Sequence, residues 1–69
     1  MKIRVNGRDR ETSAATLDAL LAELADKEGL RLDAIAVAVN GDFAPAAERG
    51  ARRLEEGDAV EIVSPRQGG

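Results

Sequence analysis

One amphipathic helix is the feature that most limits the folds open to this chain. Four leucines recur at helical spacing and form a single apolar face: Leu17, Leu20, Leu21 and Leu24. Thr16 can cap the first turn with its hydroxyl, and Gly29 can end the helix in the left-handed conformation. The pattern predicts a helix over residues 17–28. A lone helix of this kind needs a sheet to cover its apolar face.

Strands account for most of the remaining pattern. Alternation of apolar and other residues predicts strands over residues 1–5, 8–12, 35–39 and 59–63, with a short return through residues 43–45. Two Asn-Gly pairs, at positions 6–7 and 40–41, mark tight turns, since both central residues of a type I′ turn need positive φ. The second strand is polar and is expected at a sheet edge. The strand over residues 35–39 is apolar on both faces and is expected inside the sheet.

This order of elements predicts an α+β fold of the β-grasp (ubiquitin-like) class. It consists of a mixed four- to five-stranded sheet with one main helix packed on one face. The first and last strands would run parallel at the centre, with Arg4 facing Glu61. Residues 46–53 suit a short helix broken at Gly50. The predicted domain is residues 1–64, followed by a flexible C-terminal tail over residues 65–69.

Composition excludes several classes of function. The 69 residues include no Cys and no His, which removes disulfides, thiolate metal sites and the commonest general base. Net charge is −3 and Phe43 is the single aromatic residue, so nucleic-acid binding is not expected. No apolar run approaches the length of a membrane span. A cytoplasmic protein without a membrane segment, monomeric when alone, is the expectation.

No side chains form a convincing catalytic site. The hydroxyls lack a histidine to activate them, and each is expected to serve as a cap or a turn residue: Thr12, Ser13, Thr16 and Ser64. Glu55, Glu56 and Asp58 cluster at an expected turn, where solvated carboxylates are favoured over a weak cation site. We therefore expect no catalytic residue, no metal site and no enzyme activity of the chain alone.

The C-terminal residues are the remaining reactive feature. Gly68 and Gly69 lack a Cβ, so they can enter a narrow channel and bring a main-chain carboxylate beside the α-phosphate of ATP. Five residues beyond the last strand reach about 16 Å when extended. A frayed terminus is the alternative interpretation. The hypothesis assigns the reaction to the α-carboxylate of Gly69, which needs a partner enzyme.

These features together resemble the ThiS family of sulfur carriers in thiamine biosynthesis. The resemblance covers essentially the whole chain and is carried by these segments: Val39-Asn40-Gly41, Pro45, Leu54-Glu55-Glu56-Gly57-Asp58, Val60-Glu61-Ile62-Val63, Pro65 and Gln67-Gly68-Gly69. There are departures from the family pattern. Ala46 and Arg49 stand where the family often has a basic and an aromatic residue, and Ala44 stands where a larger aliphatic residue is common. These differences leave the partner contacts open.

The resemblance implies a defined cycle of partners. A ThiF-like adenylyltransferase would use ATP and Mg²⁺ to adenylate Gly69, and sulfur from a cysteine desulfurase would replace AMP. A ThiG-like thiazole synthase would take sulfur from the resulting thiocarboxylate. Gly68 would provide clearance, with Gln67 and Arg66 reaching into the partner's active site. The carrier itself would bind no cofactor.

A surface for these partners is also predicted. Ala36, Ala38 and Val63 are expected to form a flat patch on the sheet face away from the helix, and ordinary exposed alanine is the equal alternative. Phe43 suits either the core or an exposed anchor.

Two other functions remain open from the sequence. A carrier for another pathway, such as a MoaD-like molybdopterin carrier, shares the same tail chemistry. A ubiquitin-like protein modifier would also be adenylated at Gly69 but would be transferred to an amine instead of receiving sulfur.

Overall fold

The fold consists of one helix packed on a mixed five-stranded sheet. The computed structural model describes residues 1–64. The strands and the helix have these bounds: β1 Lys2–Val5, β2 Arg8–Glu11, α1 Leu17–Glu28, β3 Ala36–Val39, β4 Asp42–Phe43 and β5 Ala59–Val63. Two short 3₁₀ turns lie at Leu32–Ala34 and Ala46–Glu48. The strand order across the sheet is β2-β1-β5-β3-β4, which confirms the predicted architecture.

The helix has the predicted bounds and caps. Thr16 is the N-cap, and its Oγ1 accepts a hydrogen bond from the Ala19 N–H at 3.2 Å. Gly29 ends the helix at φ 70°, and its N–H donates to the Ala25 carbonyl at 3.0 Å. The helix has 12 residues, and within the described residues 1–64 no helix is long and apolar enough to cross a membrane.

The hydrophobic core lies between the leucine face of α1 and one face of the sheet. The four leucines are at most 2% exposed. Side chains from three strands meet them and are equally buried: Ile3, Val37, Val39 and Val60. Each such burial contributes roughly 1.5–3 kcal/mol. The sheet therefore has one face committed to the core, and its other face is not covered by the helix.

The central strands β1 and β5 run parallel, as predicted. Their register pairs Arg4 with Ala59 and Val5 with Val60. Glu61 is thus offset from Arg4 by two residues along the strand, and the predicted facing pair is wrong. The Arg4 guanidinium instead lies beside Asp9 of β2, with Nε and Oδ1 3.7 Å apart.

Both Asn-Gly turns are confirmed. Asn6 and Asn40 each have φ 52°, and the following glycines have φ 83° and 85°. Positive φ at both central residues is what a type I′ turn requires, and its twist matches the twist of the flanking strands.

The predicted helix over residues 46–53 is wrong beyond its first turn. Only Ala46–Glu48 is helical, as one 3₁₀ turn. The carbonyls of Arg49 and Arg52 accept hydrogen bonds from the first-turn N–H groups of α1, at Asp18 and Leu17. Because these carbonyls bind the start of α1, they are not used to extend a local helix.

The bounds of four predicted strands also change. β1 begins at Lys2 and not at Met1, and β4 comprises Asp42–Phe43 and not residues 43–45. β3 begins at Ala36 because Ile35 ends the preceding 3₁₀ turn, although its backbone is already extended. β2 ends at Glu11, and Thr12 follows it as a buried residue.

Truncation of the leucine face tests the core. We expect Leu21→Ala to lower the free energy of unfolding by about 2–5 kcal/mol, because it opens a cavity in the middle of the helix face. Asp26→Ala, on the exposed side of the same helix, is the control and should change it by less than about 0.5 kcal/mol. Urea unfolding followed by circular dichroism measures both values. Equal losses in the two variants would contradict this assignment of the core.

Candidate functional site

The outer face of the sheet, away from α1, is divided into a charged half and an apolar half. On β1 and β2, Lys2 and Arg4 flank Asp9, whose carboxylate lies 4.0 Å from Lys2 Nζ and 3.7 Å from Arg4 Nε. These side chains are more than half exposed. Such pairs contribute little to stability because water screens them. The charged half is a solvated surface.

The apolar half lies on β5, β3 and β4. Sheet register places Ala36 opposite Val63 and Ala38 opposite Phe43. We call these four residues the apolar patch. Together with Val37 and Glu61 they line a shallow depression of about 120 Å³. The structure thus brings together Ala36, Ala38 and Val63, the three residues of the predicted patch, and places Phe43 beside them.

Exposure of the two largest side chains distinguishes this patch from an ordinary sheet surface. Phe43 is 67% exposed and Val63 is 63% exposed. The sequence left Phe43 open between core and surface, and the structure places it on the surface. A large aromatic side chain held in water beside other apolar groups is typical of protein contact sites.

The apolar patch lies beside the end of β5, which is the last strand before residues 65–69. Val63 is the last residue of β5, and Ser64 is the last described residue. β5 is a central strand, paired with β1 on one side and with β3 on the other. The predicted site residues Arg66, Gln67, Gly68 and Gly69 lie outside the described residues.

The other polar groups considered as candidate sites form hydrogen bonds within the domain instead. The Asp58 carboxylate accepts from the Glu55 N–H at 2.8 Å and from Asn40 Nδ2 at 3.0 Å, so it closes its own turn. Thr12 Oγ1 donates to the Glu23 carboxylate at 3.0 Å. Across residues 1–64 there is no group of three acidic, histidine or cysteine side chains that could hold a metal ion.

Two turn asparagines do more than the sequence analysis found. Asn6 Oδ1 accepts from the Ile62 N–H at 2.8 Å, and Asn40 Oδ1 accepts from the Ala59 N–H at 2.9 Å. The Asn6 side chain therefore holds β5 near its end, and the Asn40 side chain holds it at its start. The Asn-Gly pairs predicted the turns, but the pairs alone do not reveal which strand their side chains reach.

Arg49 was named as a departure from the family pattern, and the structure gives it a structural role. The residue is 7% exposed. Its Nη1 donates to the Leu32 carbonyl and its Nη2 to the Ile35 carbonyl, each at 3.1 Å. The guanidinium thus joins the segment after β4 to the 3₁₀ turn before β3. Because this side chain is buried, we do not expect it to contact a partner protein.

Comparison with known proteins identifies the family. The family model of ThiS matches residues 3–69. The chain belongs to the ThiS family. This match extends through the C-terminal residues, and it agrees with the β-grasp architecture of the sheet and helix. A search of curated proteins gave no match.

Solved structures of similar proteins agree with this family. A crystal structure of the thiamine biosynthesis protein ThiS from Geobacter metallireducens is 26% identical, with a TM-score of 0.78 and full coverage of both chains. An NMR structure of a thiamine biosynthesis protein from the same organism gives a TM-score of 0.75 at 26% identity, covering 100% of this chain and 88% of that one.

A third similar structure comes from a different assembly. It is a complex of subunits 1 and 2 of molybdopterin-converting factor from Helicobacter pylori. The match is 28% identical with a TM-score of 0.65, covering 99% of this chain and 96% of that one.

The bonds of Arg49 can be tested by removing its guanidinium. We expect Arg49→Met to lower the free energy of unfolding by about 2–3 kcal/mol, because two charge-assisted hydrogen bonds from a buried guanidinium to main-chain carbonyls are lost. Arg53→Met, at an exposed position nearby, should change it by less than about 0.5 kcal/mol. Chemical denaturation measures the difference. An Arg49 variant as stable as the control would mean that these bonds contribute nothing.

Proposed function

We propose that this chain is a sulfur carrier of thiamine biosynthesis. In this role the Gly69 carboxylate attacks the α-phosphate of ATP on a ThiF-like adenylyltransferase with Mg²⁺, releasing pyrophosphate. A desulfurase persulfide then displaces AMP to form an acyl disulfide, and a thiol reductant cleaves its S–S bond to leave a thiocarboxylate for a ThiG-like thiazole synthase. The cycle takes place in the cytoplasm. The ThiS family match, which extends to residue 69, is the observation that carries the proposal.

The rest of the molecule suits a substrate protein better than an enzyme. The carboxylate of Asp58 and the hydroxyl of Thr12 are engaged in local hydrogen bonds, and Thr16 caps the helix. The reacting group on the carrier is a main-chain carboxylate, so the adenylyltransferase supplies the residues that bind ATP. Gly68 has no side chain and so would fit the narrow channel of the adenylyltransferase. Gln67 and Arg66 would lie at the entrance of that channel.

The apolar patch is the surface that we assign to the adenylyltransferase. It borders the end of β5, so a partner bound there lies close to the start of the tail. Docking would bury Phe43 and Val63, whose exposure is unfavourable in the free chain. Aromatic anchors of this kind often dominate binding energy.

A molybdopterin carrier is the second candidate. The observation that favours it is the similarity to a chain in the Helicobacter pylori molybdopterin-converting factor complex. Both candidates share adenylation and a thiocarboxylate, and they differ in the enzyme that accepts the sulfur. A ubiquitin-like modifier shares adenylation alone and would form an amide with a lysine.

Intact-protein mass spectrometry tests the chemistry. Incubation with a ThiF-like adenylyltransferase, ATP, Mg²⁺ and sulfide should replace one carboxylate oxygen of Gly69 by sulfur. A chain lacking Gly69 should not react, because its new terminus is one residue too short. Failure of the full chain with an adenylyltransferase that is active on another carrier would refute the proposal.

The same thiocarboxylate then separates the candidate pathways. Sulfur transfer to a thiazole synthase supports the thiamine role, and transfer to the large subunit of a molybdopterin synthase supports the second candidate. Conjugation of the adenylated chain to a lysine would support the modifier.

The patch assignment makes a separate prediction about binding. Phe43→Ala should raise the Kd for the adenylyltransferase by about tenfold or more, since the aromatic anchor is lost. Arg4→Ala, on the charged half of the same face, is the control and should leave the Kd close to that of the wild type. Isothermal titration calorimetry measures both. Because Phe43 and Arg4 are exposed, both variants should stay folded; an unchanged Kd for Phe43→Ala would exclude the patch as the docking surface.

A further inference from the structure

The side chain of Asn6 forms an unusual contact with the last strand. Asn6 is the first central residue of the turn between β1 and β2. Its N–H donates to the Val60 carbonyl at 2.9 Å, and its side-chain Oδ1 accepts from the Ile62 N–H at 2.8 Å. One residue thus binds β5 at two successive points.

This side-chain bond occupies the place of a missing strand contact. The parallel register of β1 and β5 ends at Val5 and Val60. At Asn6 the main chain turns away toward β2, so no further β1 carbonyl follows along β5. The side-chain carbonyl supplies the acceptor instead, and it extends the hold on β5 to Ile62.

The position of this bond is close to the exit of the chain from the sheet. Ile62 is the penultimate residue of β5. On the other side of β5, Ile62 is paired with Val37 of β3. With Asn6 in place, the end of β5 is held from both sides. Without it, the hold from the β1 side would stop at Val60.

We propose that Asn6 is a positioning residue for the carboxylate reaction. Its bond to the Ile62 N–H fixes the direction in which the chain leaves β5, and so limits the orientations that the docked carrier can present to ATP. This inference rests on the proposed function as a carrier activated at Gly69. Loss of this hydrogen bond should lower the rate at which the docked carrier is adenylated and leave its docking through the apolar patch unchanged.

The second Asn-Gly turn offers a matched control. Asn40 has the same φ of 52° as Asn6. Its Oδ1 accepts from the Ala59 N–H at 2.9 Å, and its Nδ2 donates to Asp58 at 3.0 Å. Asn40 therefore holds the start of β5 by the same chemistry. Glycine suits the positive φ at both positions, so Asn→Gly removes the side-chain bonds and keeps each turn.

The experiment compares Asn6→Gly with Asn40→Gly in adenylation by the ThiF-like enzyme. We expect Asn6→Gly to lower kcat by about tenfold with an unchanged KM for the carrier. Misorientation of the carboxylate slows the adenylation step that follows binding and does not affect binding itself. Asn40→Gly should retain the wild-type kcat. Asn6→Asp keeps an oxygen acceptor and should recover most of the lost rate.

Amide hydrogen exchange measured by NMR gives a readout that does not depend on activity. Asn6→Gly should speed exchange at Ile62 and leave Ala59 protected, whereas Asn40→Gly should have the reverse effect. Exchange at Ile62 that is unaffected by Asn6→Gly would overturn the proposal, as would equal losses of kcat in the two glycine variants.

The outcomes also distinguish this inference from the proposed function. If the wild-type chain is not adenylated, the carrier function fails and the role of Asn6 fails with it. If the wild type is adenylated and Asn6→Gly reacts at the same kcat, only the role of Asn6 is overturned.

Discussion

The structure depends on burying one leucine face of one helix against one face of one sheet. Within residues 1–64 the buried apolar side chains form one core, in which the apolar residues of β1, β3 and β5 converge on α1. The same constraint leaves the outer face of the sheet without a helix to cover it. The molecule can therefore present the apolar patch without weakening its core, since Phe43 and Val63 point away from the leucines that stabilise it.

The second consequence concerns β5, the strand that precedes the tail. Its central position provides main-chain partners on both sides, and the two turn asparagines add side-chain bonds at Ala59 and Ile62. A carrier that reacts through its terminus benefits from a rigid base, because a short tail can be presented reproducibly only from a fixed point. Under the proposed function, the domain would hold the start of residues 65–69 in place, and partner enzymes would supply the catalytic groups.

Much of the fold could be predicted because its signals are local. Thr16 and Gly29 define the ends of α1 through the chemistry of their own side chains and backbone, and both Asn-Gly turns follow from the need for positive φ. Predictions failed where distant segments compete for the same groups. The segment over residues 46–53 is not a helix because the carbonyls of Arg49 and Arg52 bind the start of α1. Arg4 does not face Glu61 because the β1–β5 register offsets them, and Asp9 lies closer.

The sequence by itself determined the helix, the turns and the class of fold, because periodicity and turn chemistry depend on near neighbours along the chain. The family match confirms the resemblance to ThiS, and the role that this resemblance implies for Gly69 stays a proposal. Only the tertiary structure decided that Phe43 is exposed, that Arg49 is buried against two carbonyls, and that Asn6 reaches Ile62. Asn6 and Ile62 are 56 positions apart in the sequence. Their contact is set by the register of two strands that meet only when the core closes, and no local pattern in the sequence encodes that register.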